Sequence, residues 1–149
     1  MKEYVAGFMF AEDPVTADIM VLLIHKSKTK GPEGVRGKLN AIGGHVDWPE
    51  HRMVAMTREF QEETGIYWIG WERFCTVKGT NYDTGEDYIV HYFRTWTNKF
   101  ESVTNPEGPE EPVGWYSVGE LHELTVVSDL KWLIPLALDR DIQGVDVYY

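Results

Sequence analysis

Apolar positions come first in short runs, then at a helical repeat, then in short runs again. Residues 4–10 and Ile19–His25 are β-rich apolar runs separated by a turn-like segment at 12–18 that holds Pro14. The second run is nearly continuous and predicts a strand buried on both faces. Residues 26–37, KSKTKGPEGVRG, predict a loop, and residues 38–46, KLNAIGGHV, a strand broken by two glycines where the backbone can bulge and expose a carbonyl. From residue 50 to about 64, Met53, Met56 and Phe60 recur at helical spacing and predict an amphipathic helix. Pro49 suits its first turn and Gly65 its stop. Beyond it, 73–78 and 88–96 read as strands flanking a turn-rich stretch at 79–87, 98–112 as a polar loop, and 113–118 as a short strand around Trp115. Residues 126–138 are apolar at helical spacing, with Trp132 and Leu136 among the buried candidates and Pro135 a point of interruption. Val145–Tyr148 suits either an edge strand or a docked tail. The order β-β-β-α-β-β-β-α is an α+β pattern, a mixed sheet with helices packed outside it.

The helix carries the chemistry. At about 100° per residue, Glu59, Glu62 and Glu63 fall within a third of its circumference, away from the Met/Phe face, with the small Ala55 in the same arc. Three such carboxylates repel one another, and a hard divalent cation such as Mg²⁺ or Mn²⁺ removes that penalty. Arg58 can pair with Glu62 one turn on and also hold Glu59. A carbonyl from the broken strand can serve as a neutral oxygen ligand beside them. A bare Glu-x-x-Glu-Glu is usually a solvated acidic face. Here it stands in the stretch GHVDWPEHRMVAMTREFQEETGI, with Gly44, Glu50, Arg58 and Gly65 at fixed intervals. Seven specified residues coincide by chance in roughly one window in 10⁸.

Composition narrows the field. A chain of 149 residues, 43% hydrophobic and 13% aromatic, suits one domain spanning 1–149 with a substantial core. A formal charge of −10 argues against nonspecific binding to a nucleic-acid polymer, but not against a small nucleotide, because bound cations reverse the sign locally. The lone Cys75 suits core packing and a reducing, cytoplasmic setting. The first residues, MKEYVAGFMFAED, read as neither signal peptide nor membrane span. The one basic stretch, 26–37, suits either a solvated mobile loop or phosphate contact by Lys26, Arg36 or the following Lys38.

The Gly44–Ile66 pattern, Gly-x5-Glu-x7-Arg-Glu-apolar-x-Glu-Glu-x-Gly-apolar, resembles the complete Nudix box, and the resemblance extends over nearly the whole chain. It implies an α/β/α sandwich and a Mg²⁺- or Mn²⁺-dependent hydrolase of phosphoanhydrides in nucleoside diphosphate-linked compounds, acting as monomer or homodimer. It further implies that Glu59, Glu62 and Glu63 are the metal-binding and catalytic carboxylates, with Glu59 the first choice of base and Arg58 orienting it. The Gly43 carbonyl is implied as a ligand, and Glu50 as support for the loop or a further cation. Glu110 is implied as a further carboxylate, with Glu111 in reserve. Pro49 departs from the glycine that many relatives carry before Glu50.

Substrate signals are thinner. Gly37-Lys38-Leu39-Asn40 and Asp129 resemble base-reading positions of enzymes that hydrolyse oxidised purine nucleoside triphosphates such as 8-oxo-dGTP. An Asn bonded to local backbone and a helix-capping Asp are equally plain readings. Tyr82, sixteen residues beyond Ile66, resembles a stacking tyrosine of dinucleoside polyphosphate hydrolases, and the lack of a nearby proline speaks mildly against the ADP-ribose group. Triphosphates therefore lead. A binding module that has lost its box glutamates, an isomerase with its own cysteine and histidines, and an acidic nucleic-acid mimic each fail to account for the complete box.

Overall fold

β1 (Lys2–Glu12) is the strand against which the rest of the sheet is laid. In the computed structural model, which describes residues 1–98, 100 and 110–149, it pairs in parallel with β6 (Asp87–Trp96) from Lys2↔Tyr88 to Phe10↔Trp96. Its other edge is shared. The first half takes β4 (Ile42–His45) antiparallel, with Val5 opposite Gly44, and the last residues take β2 (Ile19–His25), with Phe10 opposite Val21. β3 (Leu39–Asn40) and β7 (Val113–Ser117) extend from β2, and β5 (Glu72–Thr80) and β8 (Val145–Tyr148) extend from β6. The described residues thus form an eight-stranded mixed sheet.

Alternation along β1 sends side chains to opposite faces. Phe8 and Phe10 join Phe74 under α2 (Leu130–Leu138), which contributes Leu130, Leu133, Ile134 and Ala137. Val5 and Met9 join Ile42 and Phe93 under α1 (Arg52–Thr64), which contributes Ala55, Met56 and Phe60. Phe60 meets the buried Trp71 edge-on at 4.9 Å. One helix on each face gives the expected sandwich.

The boundaries teach several corrections. α1 begins at Arg52, not at residue 50, because His51 is extended (φ −76°, ψ 147°) and its ring accepts the Met53 N–H as N-cap. Pro49 consequently precedes the helix. Met53 is 43% exposed, so the buried stripe runs through Ala55, Met56, Phe60 and Thr64. Ala55, placed by spacing among the glutamates, is fully buried in the core. Gly65 is the stop, at φ 79° with its N–H on the Gln61 carbonyl.

Residues 126–129 precede α2 instead of opening it, and the helix runs through Pro135 without a break, with Trp132 and Leu136 only partly buried. The broken strand at 38–46 is two short strands, and Val145–Tyr148 is an edge strand parallel to β5. Cys75 is buried. Of the loop expected at 98–112, residues 99 and 101–109 lie outside the described residues.

Candidate catalytic pocket

The acidic helix is brought to the sheet by two glycines. A Cβ on Gly43 would stand 1.9 Å from the Val5 carbonyl oxygen, so β4 lies on β1 at a distance only glycine permits. A Cβ on Gly44 would stand 2.5 Å from the Glu59 carboxylate, so the second glycine is the space into which Glu59 fits.

Arg58 organises the carboxylates around it. Its Nε and Nη2 donate to the two oxygens of Glu50 at 3.1 and 2.7 Å, a bidentate pair. Nη1 donates to Glu59 at 2.9 Å and reaches Glu62 at 3.3 Å, while Nη2 also donates to the His45 carbonyl at 2.9 Å. Glu50 accepts the Asp47 N–H at 2.9 Å as well, so it ties the loop before α1 to the guanidinium. The sequence foresaw Arg58 holding Glu59 and Glu62; its strongest partner, eight residues back, lies beyond helical spacing. The Arg58 hydrogen bonds hold the Glu50 carboxyl below its usual range, and the same contacts raise Arg58.

Glu59 and Glu63 lie at the edge of the buried stripe instead of away from it. Burial pushes the Glu59 carboxyl up against the opposing pull of Arg58. Burial pushes Glu63 up to about 8, opposed by nearby Lys26 and by a hydrogen bond from the Gly43 backbone, and reinforced by Glu59.

These side chains face a pocket of about 500 Å³ lined by Glu59, Glu62 and Glu63 on one side and by Lys26, Lys30, Glu110 and Glu111 on the other. Lys26 pairs with Glu111 at 3.2 Å and Lys30 with Glu110 at 3.0 Å. Glu111 also accepts the Ser27 N–H at 2.8 Å. Both loop glutamates named from the sequence therefore reach the pocket. Lys30 was missed, although it lies in the basic stretch that signalled it.

Among the described residues no three His, Cys, Asp or Glu side chains yet converge to hold a metal ion. Arg58 draws on Glu59 and Glu62, and the lysines occupy Glu110 and Glu111. The donors nevertheless suit a hard divalent cation: all are oxygens, and five carboxylates face two lysines in one pocket. Glu63 is the clearest case, an elevated carboxyl on which the nearby Lys26 acts in opposition to burial.

A second cleft, about 740 Å³, opens from the first and shares Ile24, Lys26, Pro32 and Glu63 with it. It lies along the sheet, walled by Tyr4 of β1 and by Tyr88, Val90 and Tyr92 of β6. Gly79 makes room for Tyr88, whose hydroxyl lies 2.5 Å from where a Cβ would stand. Tyr92 is backed by Phe8, the rings near parallel at 9°.

Asn40 and Gly43 line this cleft, with Glu86 and Asp87 opposite. Asn40 also accepts the Ala41 N–H at 2.8 Å. Lys38, Tyr82 and Asp129 line neither space. Tyr82 is 94% exposed in the β5–β6 turn, Asp129 accepts the Tyr149 hydroxyl at 2.7 Å, and Arg36 donates to the Gly31 carbonyl within its own loop. The tyrosine wall was missed, though part of its signal, Tyr88 and Tyr92 four apart on one strand, was in the sequence.

The Nudix domain model matches residues 3–136. The chain belongs to the Nudix family. Members of this family are pyrophosphohydrolases that bind small nucleotides and generally use a divalent metal such as Mg²⁺, and this chain carries their complete box. Its Nudix fold is similar to MutT from Bacillus halodurans (TM-score 0.74, 22% identity, 100% of this chain and 90% of that one). It is also similar to the Nudix domain of Shewanella oneidensis NrtR in complex with ADP-ribose (0.76, 18%, 93% and 86%). A third neighbour is RenU, a Nudix hydrolase from M. smegmatis (0.70, 14%, 89% and 83%). None of the curated proteins compared with the chain matches it. Among the described residues no helix is long and apolar enough to cross a membrane.

Proposed function

We propose that this Nudix chain, acting as a single domain, hydrolyses (deoxy)nucleoside triphosphates, oxidised purines such as 8-oxo-dGTP included, to monophosphate and pyrophosphate. The observation that carries the reading is the continuity of the two spaces. A carboxylate- and lysine-lined pocket opens directly into a tyrosine-walled cleft, which suits a phosphate chain joined to a flat base. Asn40 in that cleft offers an amide to a base edge.

Glu59, Glu62, Glu63 and Glu110 or Glu111 would hold Mg²⁺ or Mn²⁺, with the Gly43 carbonyl a further donor. When bound, the cation polarises the phosphoryl oxygens and neutralises charge on the leaving phosphate. Glu59 takes the proton from the attacking water, held in place for that role by the Arg58 Nη1 hydrogen bond at 2.9 Å and by the wall at Gly44. In the metal-free protein burial holds its carboxyl above the ordinary carboxylate range, against the pull of Arg58. Lys26 and Lys30 offer cationic contacts to the phosphates.

A second reading, ADP-ribose, draws on the NrtR Nudix domain, whose structure holds that compound, and on Glu86 and Asp87, which suit ribose hydroxyls. Chromatographic product analysis with Mg²⁺ decides between them, using 8-oxo-dGTP, dGTP, diadenosine tetraphosphate, ADP-ribose and NADH, and Glu63→Gln as control. Monophosphate plus pyrophosphate from the triphosphates is the expected result. Preferential cleavage of ADP-ribose or of the dinucleotides would replace it.

A further inference from the structure

Two ion pairs cross the mouth of the carboxylate pocket, and each joins the same two segments. Lys26 and Lys30 come from the end of β2 and the loop after it; Glu110 and Glu111 come from the segment entering β7. The pairs are unlike in depth. Lys26 and Glu111 are 28% and 31% exposed, and Glu111 is fixed further by the Ser27 N–H, whereas Lys30 and Glu110 are 72% and 68% exposed. All four residues line the space that Glu59, Glu62 and Glu63 face.

We infer that these pairs form a latch that opens by exchanging partners: a polyphosphate takes the two lysines while its divalent cation takes the two glutamates. This rests on the pyrophosphohydrolase reading of the same pocket. The charge logic is specific. A cation alone must draw Glu111 away from Lys26 and leave an ammonium uncovered beside it. A polyphosphate alone must draw Lys26 away and leave Glu111 uncovered beside an anion. Together they leave neither charge unpartnered. The outer pair, nearly free in water, yields first, and the inner pair sets the register. Lys26 is the hinge of the exchange, since it lines both the pocket and the adjoining cleft and lies close enough to Glu63 to act on its charge.

The latch has a crossed signature that does not depend on turnover. Mn²⁺ affinity is measured by the loss of its free EPR signal, and tripolyphosphate affinity by calorimetry in metal-free buffer. Lys26→Met is expected to tighten Mn²⁺ about fivefold and weaken tripolyphosphate about tenfold. Glu111→Gln is expected to do the reverse, weakening Mn²⁺ and tightening tripolyphosphate by similar factors. Lys30→Met and Glu110→Gln should repeat the pattern at about twofold. Lys28→Met, exposed in the same loop but unpaired with either glutamate, removes the same charge and should move neither affinity by more than about 1.5-fold.

Thermal melts of each variant verify folding, and the outer-pair variants carry the test if an inner one is unstable. Should Lys28→Met tighten Mn²⁺ as much as Lys26→Met, the effect is general charge and the latch is wrong. The latch is also wrong if wild type binds both probes but Glu111→Gln leaves tripolyphosphate affinity unchanged; the functional reading survives that result. Wild type that binds neither probe and cleaves none of the nucleotides overturns both.

Discussion

The carboxylate pocket and the tyrosine-walled cleft share Lys26 and Glu63, yet they are built on opposite plans. The pocket hangs on one contiguous stretch: Gly44, Glu50, Arg58, Glu59, Glu62 and Glu63 lie within twenty residues, and a single guanidinium cross-links Glu50, Glu59 and Glu62. The cleft is assembled from β1, β2, the loop after it, β3, β4, Glu63 of α1, the β5–β6 turn and β6, each giving one or a few residues. A site of the first kind fails as a unit when one member is removed. A site of the second kind should lose affinity in small, separable steps. Four measurements test that contrast.

The largest effect is expected at Glu59. Replacing it with Gln removes the proton acceptor but keeps the shape against Gly44, so kcat should fall by about 10³-fold with KM within about threefold. Equal losses in Glu59→Gln and Tyr88→Ala would erase the distinction between the two regions.

Arg58→Met comes next, read as stability. It leaves Glu50, 16% exposed, and Glu59, 15% exposed, without their shared cation. Removing one partner of a buried charge pair typically costs 3–5 kcal/mol. Partial solvent access reduces this to about 2 kcal/mol, or roughly 5 °C in Tm. A melt unchanged within 1 °C would mean that Arg58 orients the carboxylates without holding the loop.

Glu63 gives the pH dependence. Its carboxyl rises from 4.5 in the unfolded chain to about 8 in the folded one, so the folded state binds its proton more tightly. The stability that goes with the protonated form is complete below pH 4.5 and is lost as pH rises through 8. Relative to Glu63→Gln, the metal-free protein should lose about 5 °C in Tm between pH 5 and pH 9, and Mg²⁺ should restore most of it at pH 9. Parallel curves for the two proteins would place Glu63 in ordinary solvent.

This division also explains what could be read from the sequence. The box was legible because its geometry is local: helical spacing groups the glutamates, and Gly65 ends the helix where a left-handed residue is needed. The strand order within the chain was legible for the same reason. What spacing missed came from tertiary contact. Met53 has the right period but no element above it, so it is exposed, whereas Ala55 is small and packs against the sheet. The tie from Arg58 to Glu50 spans eight residues across a turn, and the ion pairs of Lys26 and Lys30 span 85 and 80. The wall made by Tyr4 and Tyr88 depends on the parallel pairing of β1 with β6, which no local pattern announces.

The smallest effects belong to the cleft, and there two tyrosines six residues apart are expected to part company. Tyr88 lines the cleft, its hydroxyl resting against β5 where Gly79 has no side chain. Tyr82 is 94% exposed and lines neither space, although its spacing from the box made it the sequence candidate for stacking. Stacking of a base on an aromatic ring contributes about 1–3 kcal/mol. Tyr88→Ala should therefore raise KM for the preferred nucleotide by about tenfold with kcat within about twofold, and Tyr82→Ala should change neither by more than about twofold. Asn40→Ala should fall between them and act mainly on the ratio of KM values for 8-oxo-dGTP and dGTP, because its amide is a hydrogen-bonding reader in the same cleft. If Tyr82→Ala instead raises KM as much as Tyr88→Ala, the β5–β6 turn folds over the bound nucleotide. The cleft would then be completed by its ligand, whereas Arg58 already ties Glu50, Glu59 and Glu62 together before any ligand arrives.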